Sequence, residues 1–400
     1  MRWPLALLVL IGCQNGDDGP TTRVLALAGE LPAEAGAVVI SHAADGTLID
    51  QQVTDGSGHA LLQTAPGALV TVIYRRDAIQ VVTSPALATG ELVIHGPVPA
   101  KAPIIAAALA LTAPAIDADE LSADLGCATV HIAQFPDTID VAAACLGTDS
   151  KLDVLVRATV GIAPETLAGY YAARVPVVDG VGMLDIPTWE SAPTVIPVTA
   201  NDLGAVIELD EISDGFVHAT PPGTTQLNAW TGLVADASRV RAQVGFTTAA
   251  QTTTAYIAGL PDSVAFPATA FLPAATTRVA LHDRAKLAFS WDALAIGDVV
   301  DFHAIWMPGT QVILWDVVLP PDASAVAFPQ LDPDLAAILA PPVGDVVLNT
   351  DLRAIDGPDT TDFASVQAAG LWVDQGASST IVPPPETGLV SETNVGGFDD

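Results

Sequence analysis

Short apolar runs alternate with turn residues from Arg23 to Pro97. The runs are RVLAL, AVVISH, LIDQQVT, HALLQT, LVTVIYR, IQVVTS and ELVIH. Each has strand length and is rich in Val, Ile and Thr, which fit a pleated, half-buried surface. Ala44-Asp45-Gly46, Asp55-Gly56-Ser57-Gly58, Ala65-Pro66-Gly67 and Arg76-Asp77 punctuate them. About seven short strands in about 75 residues predict an immunoglobulin-like sandwich over 23–97. GPVPAKAPIIA, from Gly96 to Ala106, is a Pro-rich connector and an expected boundary. From 98 to 277 further runs, among them IIAAALALTA, TIDVAAACL, KLDVLVRATV, YYAARVPVV and AVIELDEI, predict one or more additional β domains. AIDADELSADLG, within that span, predicts a short helix with its acids facing water. The pattern sharpens over 278–374 in RVALHD, KLAFSWD, DVVDFHAIW, QVILWDVVL and SAVAFP, which predicts another sandwich. DPDLAAIL predicts a helical turn or two capped by Asp332 or Asp334. Residues 375–400 are polar, Pro-rich and acidic, and predict a mobile tail or a surface strap. The expected fold class is all-β, built from tandem antiparallel β-sandwich domains.

The stretch VTDGSGHALL, Val53 to Leu62, tests whether any of these turns carries chemistry. A calcium loop needs acids at alternate positions and a closing Glu, and Gly56, Ser57 and His59 do not supply them. A phosphate loop needs Gly-Lys-Ser/Thr entering a helix, which is missing. Asp55 can instead accept from backbone N–H groups two residues on, while the glycines supply positive φ. The stretch therefore reads as a turn. DGTLIDQQVTDGSGHALLQTAPGALVTVIY, residues 45–74, resembles carboxypeptidase-regulatory-like, or transthyretin-like, domains. Thr54, Asp55 and Gly58 match the Thr-Asp-x-x-Gly turn of that family, and Pro66-Gly67 stands where its next turn belongs. The resemblance implies a β-sandwich of accessory or binding character. Over 278–374 the spacing and Trp291 are similar to fibronectin type III sandwiches.

The N-terminus changes the picture most. MRWPLALLVLIGC has one positive charge, Arg2, and a short apolar run from Trp3 to Ile11. A bilayer span needs roughly 20 residues, so this run fits the apolar region of a secretory signal instead. It ends in Leu10-Ile11-Gly12-Cys13, which resembles the lipobox of bacterial lipoproteins. That resemblance implies a signal peptide over 1–12, cleavage between Gly12 and Cys13, and acyl chains on the Cys13 thiol. NGDDGPTT then reads as part of a tether over 13–22. Gln14, by analogy with enterobacterial sorting, points to the outer membrane. The expected location is the cell envelope, on its periplasmic or surface face.

The chain carries 46 acids against 14 bases, for a net charge of −32. A field of that sign repels phosphate backbones, so nucleic acid is not an expected partner. The expected partners are the membrane through the lipid anchor, carbohydrate or envelope proteins, and Ca²⁺. With Cys13 committed to lipid, Cys127 and Cys145 remain as an even pair in an oxidising compartment, where a disulfide is the default.

Catalytic signatures are missing from the sequence. It has no Gly-x-Ser-x-Gly elbow, no His-Glu-x-x-His and no phosphate loop. No cofactor is expected, and no catalytic or metal-binding residue is assigned. His42, His59 and His95 would bind a metal only if the fold brought them together. Asp117, Asp119, Glu120 and Asp124 form one acid cluster, and Asp356, Asp359 and Asp362 another. Either is a weak candidate for Ca²⁺ beside a solvated face. Trp291, Trp306 and Trp315 end apolar strands and belong to a core. Trp189 and Trp230, among polar neighbours, are the candidates for a carbohydrate platform. The expected function is that of a lipid-anchored surface or periplasmic lipoprotein with a non-enzymatic binding or structural role. The alternatives are a secreted hydrolase with an accessory sandwich and a calcium-stabilised adhesin.

Overall fold

The computed structural model describes residues 20–394 apart from short intervals, the longest being 97–103, 220–225, 231–236, 340–348 and 373–387. Gly12, Cys13 and the rest of 1–19 lie outside the described residues. The fold is all-β, with two short α-helices, Pro333–Leu339 and Phe363–Ala369.

All seven runs of the first segment are strands: Thr21–Ala28, Val38–His42, Leu48–Val53, His59–Gln63, Leu69–Arg75, Ile79–Pro85 and Glu91–Gly96. Thr21–Ala28 pairs antiparallel with His59–Gln63 and parallel with Glu91–Gly96. Val38–His42 lies between Leu48–Val53 and Leu69–Arg75, with Ile79–Pro85 beyond. Val24, Leu62, Leu92 and Ile94 of one layer meet Val39, Val70, Val72, Tyr74 and Val82 of the other. The Tyr74 hydroxyl donates to the Ile94 carbonyl at 2.8 Å. Gly96 makes room for that ring, because a Cβ there would lie 2.4 Å from it.

The expectation of separate sandwiches at 23–97 and 278–374 does not describe the pairing beyond this point. Ile79–Pro85 pairs in parallel with Ile313–Leu319, so the two segments share one twelve-stranded sheet. Ile79 to Ser84 is buried at every position, so both faces of this strand are covered, as in an interior strand. Val38, Ile40, Ile79 and Val81 enter a core with Phe302, Trp306, Trp315 and Leu352 from the C-terminal segment. A small sheet of Ala280–Asp283, Ala288–Ser290 and Ala325–Ala327, with helix Pro333–Leu339, contributes to that core. Trp291, Trp306 and Trp315 are buried there, as their strand-end positions predict. Trp291 stacks on Phe302 with ring centroids 5.5 Å apart, and Trp315 meets Phe328 edge-on at 5.0 Å.

Residues 104–277 form two units. Ile105–Thr112, Glu120–Asp124, Thr129–His131, Asp137–Ala142, Lys151–Val160, Thr166–Val178 and Val181–Asp185 make a seven-stranded sheet with its own core. The second unit packs Thr194–Ala200, Gln226–Ala229 and Val264–Phe266 against Val206–Ser213, Ala237–Val244 and Gln251–Ala258. Its strands join the twelve-stranded sheet through Gly388–Asn394, which pairs with both Gln251–Ala258 and Asn349–Asp356.

Three expectations are corrected here. The acid-rich segment expected as a helix contains the strand Glu120–Asp124, because Leu121 and Ala123 alternate into the core while Ser122 and Asp124 face the other way. Gly388–Asn394, expected in a mobile tail, is an interior strand of the large sheet. The pairing is also not antiparallel throughout, since Thr21–Ala28 with Glu91–Gly96 and Val181–Asp185 with Ile105–Thr112 run parallel. The helix Pro333–Leu339 forms as expected, and Asp332 is its cap, accepting from the N–H groups of Asp334 at 3.0 Å and Leu335 at 2.8 Å.

Candidate functional site

The most chemically loaded place in the described chain lies on the centre of the twelve-stranded sheet. Along Val299–Trp306, Val300, Phe302, Ala304 and Trp306 enter the aromatic core. Alternation therefore turns Asp301 and His303 to the opposite face. Register places Asp316 and Asp351 directly across from His303, and Arg353 across from Asp301. Val299, Val318 and Ile355 sit one step along the same face and belong to the core of Val24, Val39, Val72 and Val82, so the polar groups stand at its rim.

His303 Nδ1 and Asp316 Oδ1 are 2.5 Å apart, and Gln80 Nε2 donates to Asp316 Oδ2 at 3.0 Å. Arg353 Nε donates to Asp351 Oδ2 at 2.6 Å. Asp316 is 3% exposed at its side chain and His303 25%, so a buried carboxylate backs an imidazole that solvent reaches. Burial opposes protonation of His303, but the hydrogen bond and charge of Asp316, with the charge of Asp301, outweigh it and raise its pKa. Asp301 is itself pushed up to about 7 by burial, against the pull of the Arg353 charge. The arrangement can hold a proton near neutrality and pass it through Nε2, because Nδ1 is committed to the carboxylate. Among the described residues no Ser, Thr or Cys side chain is hydrogen-bonded to His303. The chemistry this pair offers is proton transfer and polar binding.

The sequence-predicted candidates are dispersed. His42 is fully buried, with Nδ1 2.9 Å from the Ala43 carbonyl and Nε2 2.8 Å from Thr71 Oγ1. Burial lowers its pKa to about 4. His59 lies 3.0 Å from Ser57 Oγ and 3.2 Å from Glu91, in the layer opposite His42. His95 is buried in that same opposite layer. The acid clusters serve the backbone and nearby bases. Asp119 accepts from Gly161 N–H at 2.7 Å, Asp124 from Gly126 N–H at 2.9 Å, and Asp362 from Ser365 N–H at 2.7 Å. Glu120 is 3.9 Å from His131. Asp117 is exposed, and Asp356 ends a strand. Asp359 lies outside the described residues. Among the described residues no three of His, Cys, Asp or Glu are grouped so as to hold a metal ion.

The platform expectation is overturned for Trp230, which is 1% exposed and meets Tyr170 edge-on at 4.9 Å. Trp189 is half-buried against Phe135 and donates Nε1–H to the Pro114 carbonyl at 2.9 Å. Cys127 and Cys145 stand at disulfide distance, with Cα atoms 5.1 Å apart. Asp55 forms the predicted turn. Its side chain accepts from Ser57 N–H at 2.8 Å and His59 N–H at 3.1 Å, and Gly58 has φ +77°. Thr54 donates to the Glu34 carbonyl at 2.6 Å and accepts from Ala37 N–H at 2.9 Å.

Compared with models of protein families and with curated proteins, the chain matches none.

Proposed function

We propose that this chain is a lipid-anchored protein of the cell envelope whose β body has a binding or structural role. The observation that carries the reading is Leu10-Ile11-Gly12-Cys13, placed directly after the apolar run Trp3–Ile11. A cysteine in that setting takes a diacylglyceryl group as a thioether, and cleavage before it frees an amine for a further acyl chain. Each buried methylene contributes about 0.8 kcal/mol, so two or three chains give a lasting anchor. Only Gln14 to Pro20 separate Cys13 from the first strand. Seven residues reach at most about 25 Å, so the body would stand close to the headgroups. The resemblance of residues 45–74 to regulatory-like domains supports a binding role, as does a sheet that ties Val38 to Asn394 into one body. The test is membrane fractionation of the native protein beside Cys13→Ser. The wild type should partition with membranes and the variant should not. A soluble wild type rejects the anchor, and robust turnover on polysaccharide or peptide panels rejects the non-catalytic role.

A second reading, a secreted hydrolase, is favoured by the His303–Asp316 pair. Here His303 is the general base and Asp316 the group that orients it. Turnover that survives His303→Gln undiminished would remove this reading.

A further inference from the structure

The seven-stranded sheet meets the neighbouring unit of 193–277 through a small apolar contact. Leu155, Tyr170 and Ala172 come from the sheet and Trp230 from the unit. Buried ionisable groups stand beside this contact. His218 is fully buried, and neither of its ring nitrogens has a hydrogen-bond partner. Its Nδ1 lies 3.5 Å from Asp124 Oδ2, across the junction. Glu211, 1% exposed, sits opposite His218 in register and accepts from Trp230 N–H at 2.5 Å. The junction therefore holds an imidazole between two carboxylates, one from each side.

The other charged groups around it are accounted for. On the same face of the seven-stranded sheet stand Asp153, Arg157 and Arg174, with Arg174 Nε 3.6 Å from Asp153 Oδ1. Glu120 and His131 are exposed at its outer edge. On the neighbouring unit, Arg239–Asp210 and Arg241–Glu208 pair on the face away from Glu211. None of them hydrogen-bonds a ring nitrogen of His218.

A buried charge is tolerated only where an opposite charge or hydrogen bonds compensate it. With Glu211 neutral, the junction holds the Asp124 carboxyl beside the His218 imidazole and no second buried negative charge. With Glu211 ionised, the seam gains a buried negative charge on the far side of that imidazole, held only by the Trp230 N–H. We infer that Asp124, His218 and Glu211 form a proton-operated latch, holding the seven-stranded sheet against the 193–277 unit in mildly acidic medium and loosening as the medium turns alkaline. The direction agrees with Glu211, which burial pushes up to about 7 although the Trp230 N–H and His218 oppose the shift. A raised carboxyl pKa means the docked state holds a proton that the opened state gives up. Docking therefore weakens as pH climbs from the ordinary carboxyl range to about 7.

The test is hydrogen exchange on the full chain, corrected for intrinsic rates, between about pH 5.5 and about pH 8. One linked proton changes an opening constant about tenfold per pH unit inside its window. Protection of Glu120–Asp124 and Phe216–Ala219 should fall on that scale, and by more than the fall that Asp301 causes in Leu69–Arg75 of the twelve-stranded sheet. Glu211→Gln should flatten the fall. Asp124→Asn, which takes away one of the two carboxyls, should raise protection in alkali and so also flatten the fall, and it carries the test should Glu211→Gln fail to fold. An unaltered pH profile in the variant that folds overturns the latch, as does an equal loss of protection in Leu69–Arg75.

Discussion

Asp301→Asn separates a structural account of the central polar row from a superficial one. Asp301 is 1% exposed, and burial raises its carboxyl from the ordinary value of 3.8 to about 7. An unfolded chain would ionise this group near the ordinary value. From there up to about 7 the folded chain therefore holds one proton more than the unfolded chain, and stability falls as pH rises. At about 1.36 kcal/mol per pH unit inside that window, keeping the group buried costs about 1.5 kcal/mol at pH 5 and about 4 kcal/mol at pH 8. Asn has nearly the same shape and cannot ionise. The variant should therefore gain on the wild type by roughly 2–3 kcal/mol between pH 5 and pH 8, whatever its stability at either pH alone. Glu211, His42 and His303 also titrate, but they are present in both proteins and largely cancel in the difference. Urea unfolding at three pH values, followed by near-UV circular dichroism of the buried tryptophans, reads the effect. A wild-type-minus-variant difference that does not change with pH would refute the reasoning. It would mean that Asp301 stays ionised throughout, held by Arg353.

Three further outcomes follow from local geometry. Gly46→Ala should destabilise by more than the roughly 1 kcal/mol expected for positive φ alone. Its φ is +84° and a Cβ would lie 2.4 Å from the Phe328 carbonyl, whereas Gly36→Ala, at φ +83° with open space around it, is the control that should lose only the φ term. Thr54→Val removes two buried hydrogen bonds and should lower stability by about 1–3 kcal/mol in a urea titration, without changing the Asp55 turn. The Cys127–Cys145 bridge closes a separation of 18 residues, so reduction, or the double serine variant, should lower stability by about 3 kcal/mol. Equal urea midpoints with and without reductant would show that the bridge does not form.

The local structure was legible where one alternation repeats. ELVIH, HALLQT and LVTVIYR each place small or branched apolar residues on alternate positions and end at Gly, Pro or Asp. They fold as strands within one residue of those bounds. What lies far apart in sequence was not legible. Ile79–Pro85 finds Ile313–Leu319 across more than two hundred residues, and nothing in either strand names the other. Gly388–Asn394 has the polar composition of a tail and is ordered by pairing on both sides. Trp230 has polar neighbours in sequence, yet the fold brings Tyr170 to its face. The candidate site did leave one mark. Asp301, His303 and Asp316 interrupt strands that are otherwise apolar on both faces, which is where a buried charge needs a partner. Which partner it has depends on register, and register is set by the whole sheet.

The central claim is the anchor, and the mass of the N-terminal peptide from membrane-fractionated native protein tests it most directly. The account predicts a peptide beginning at Cys13, heavier than its sequence by a diacylglyceryl group and a further acyl chain. An unmodified peptide recovered from the soluble fraction, whether it begins at Met1 or at another residue, would contradict it.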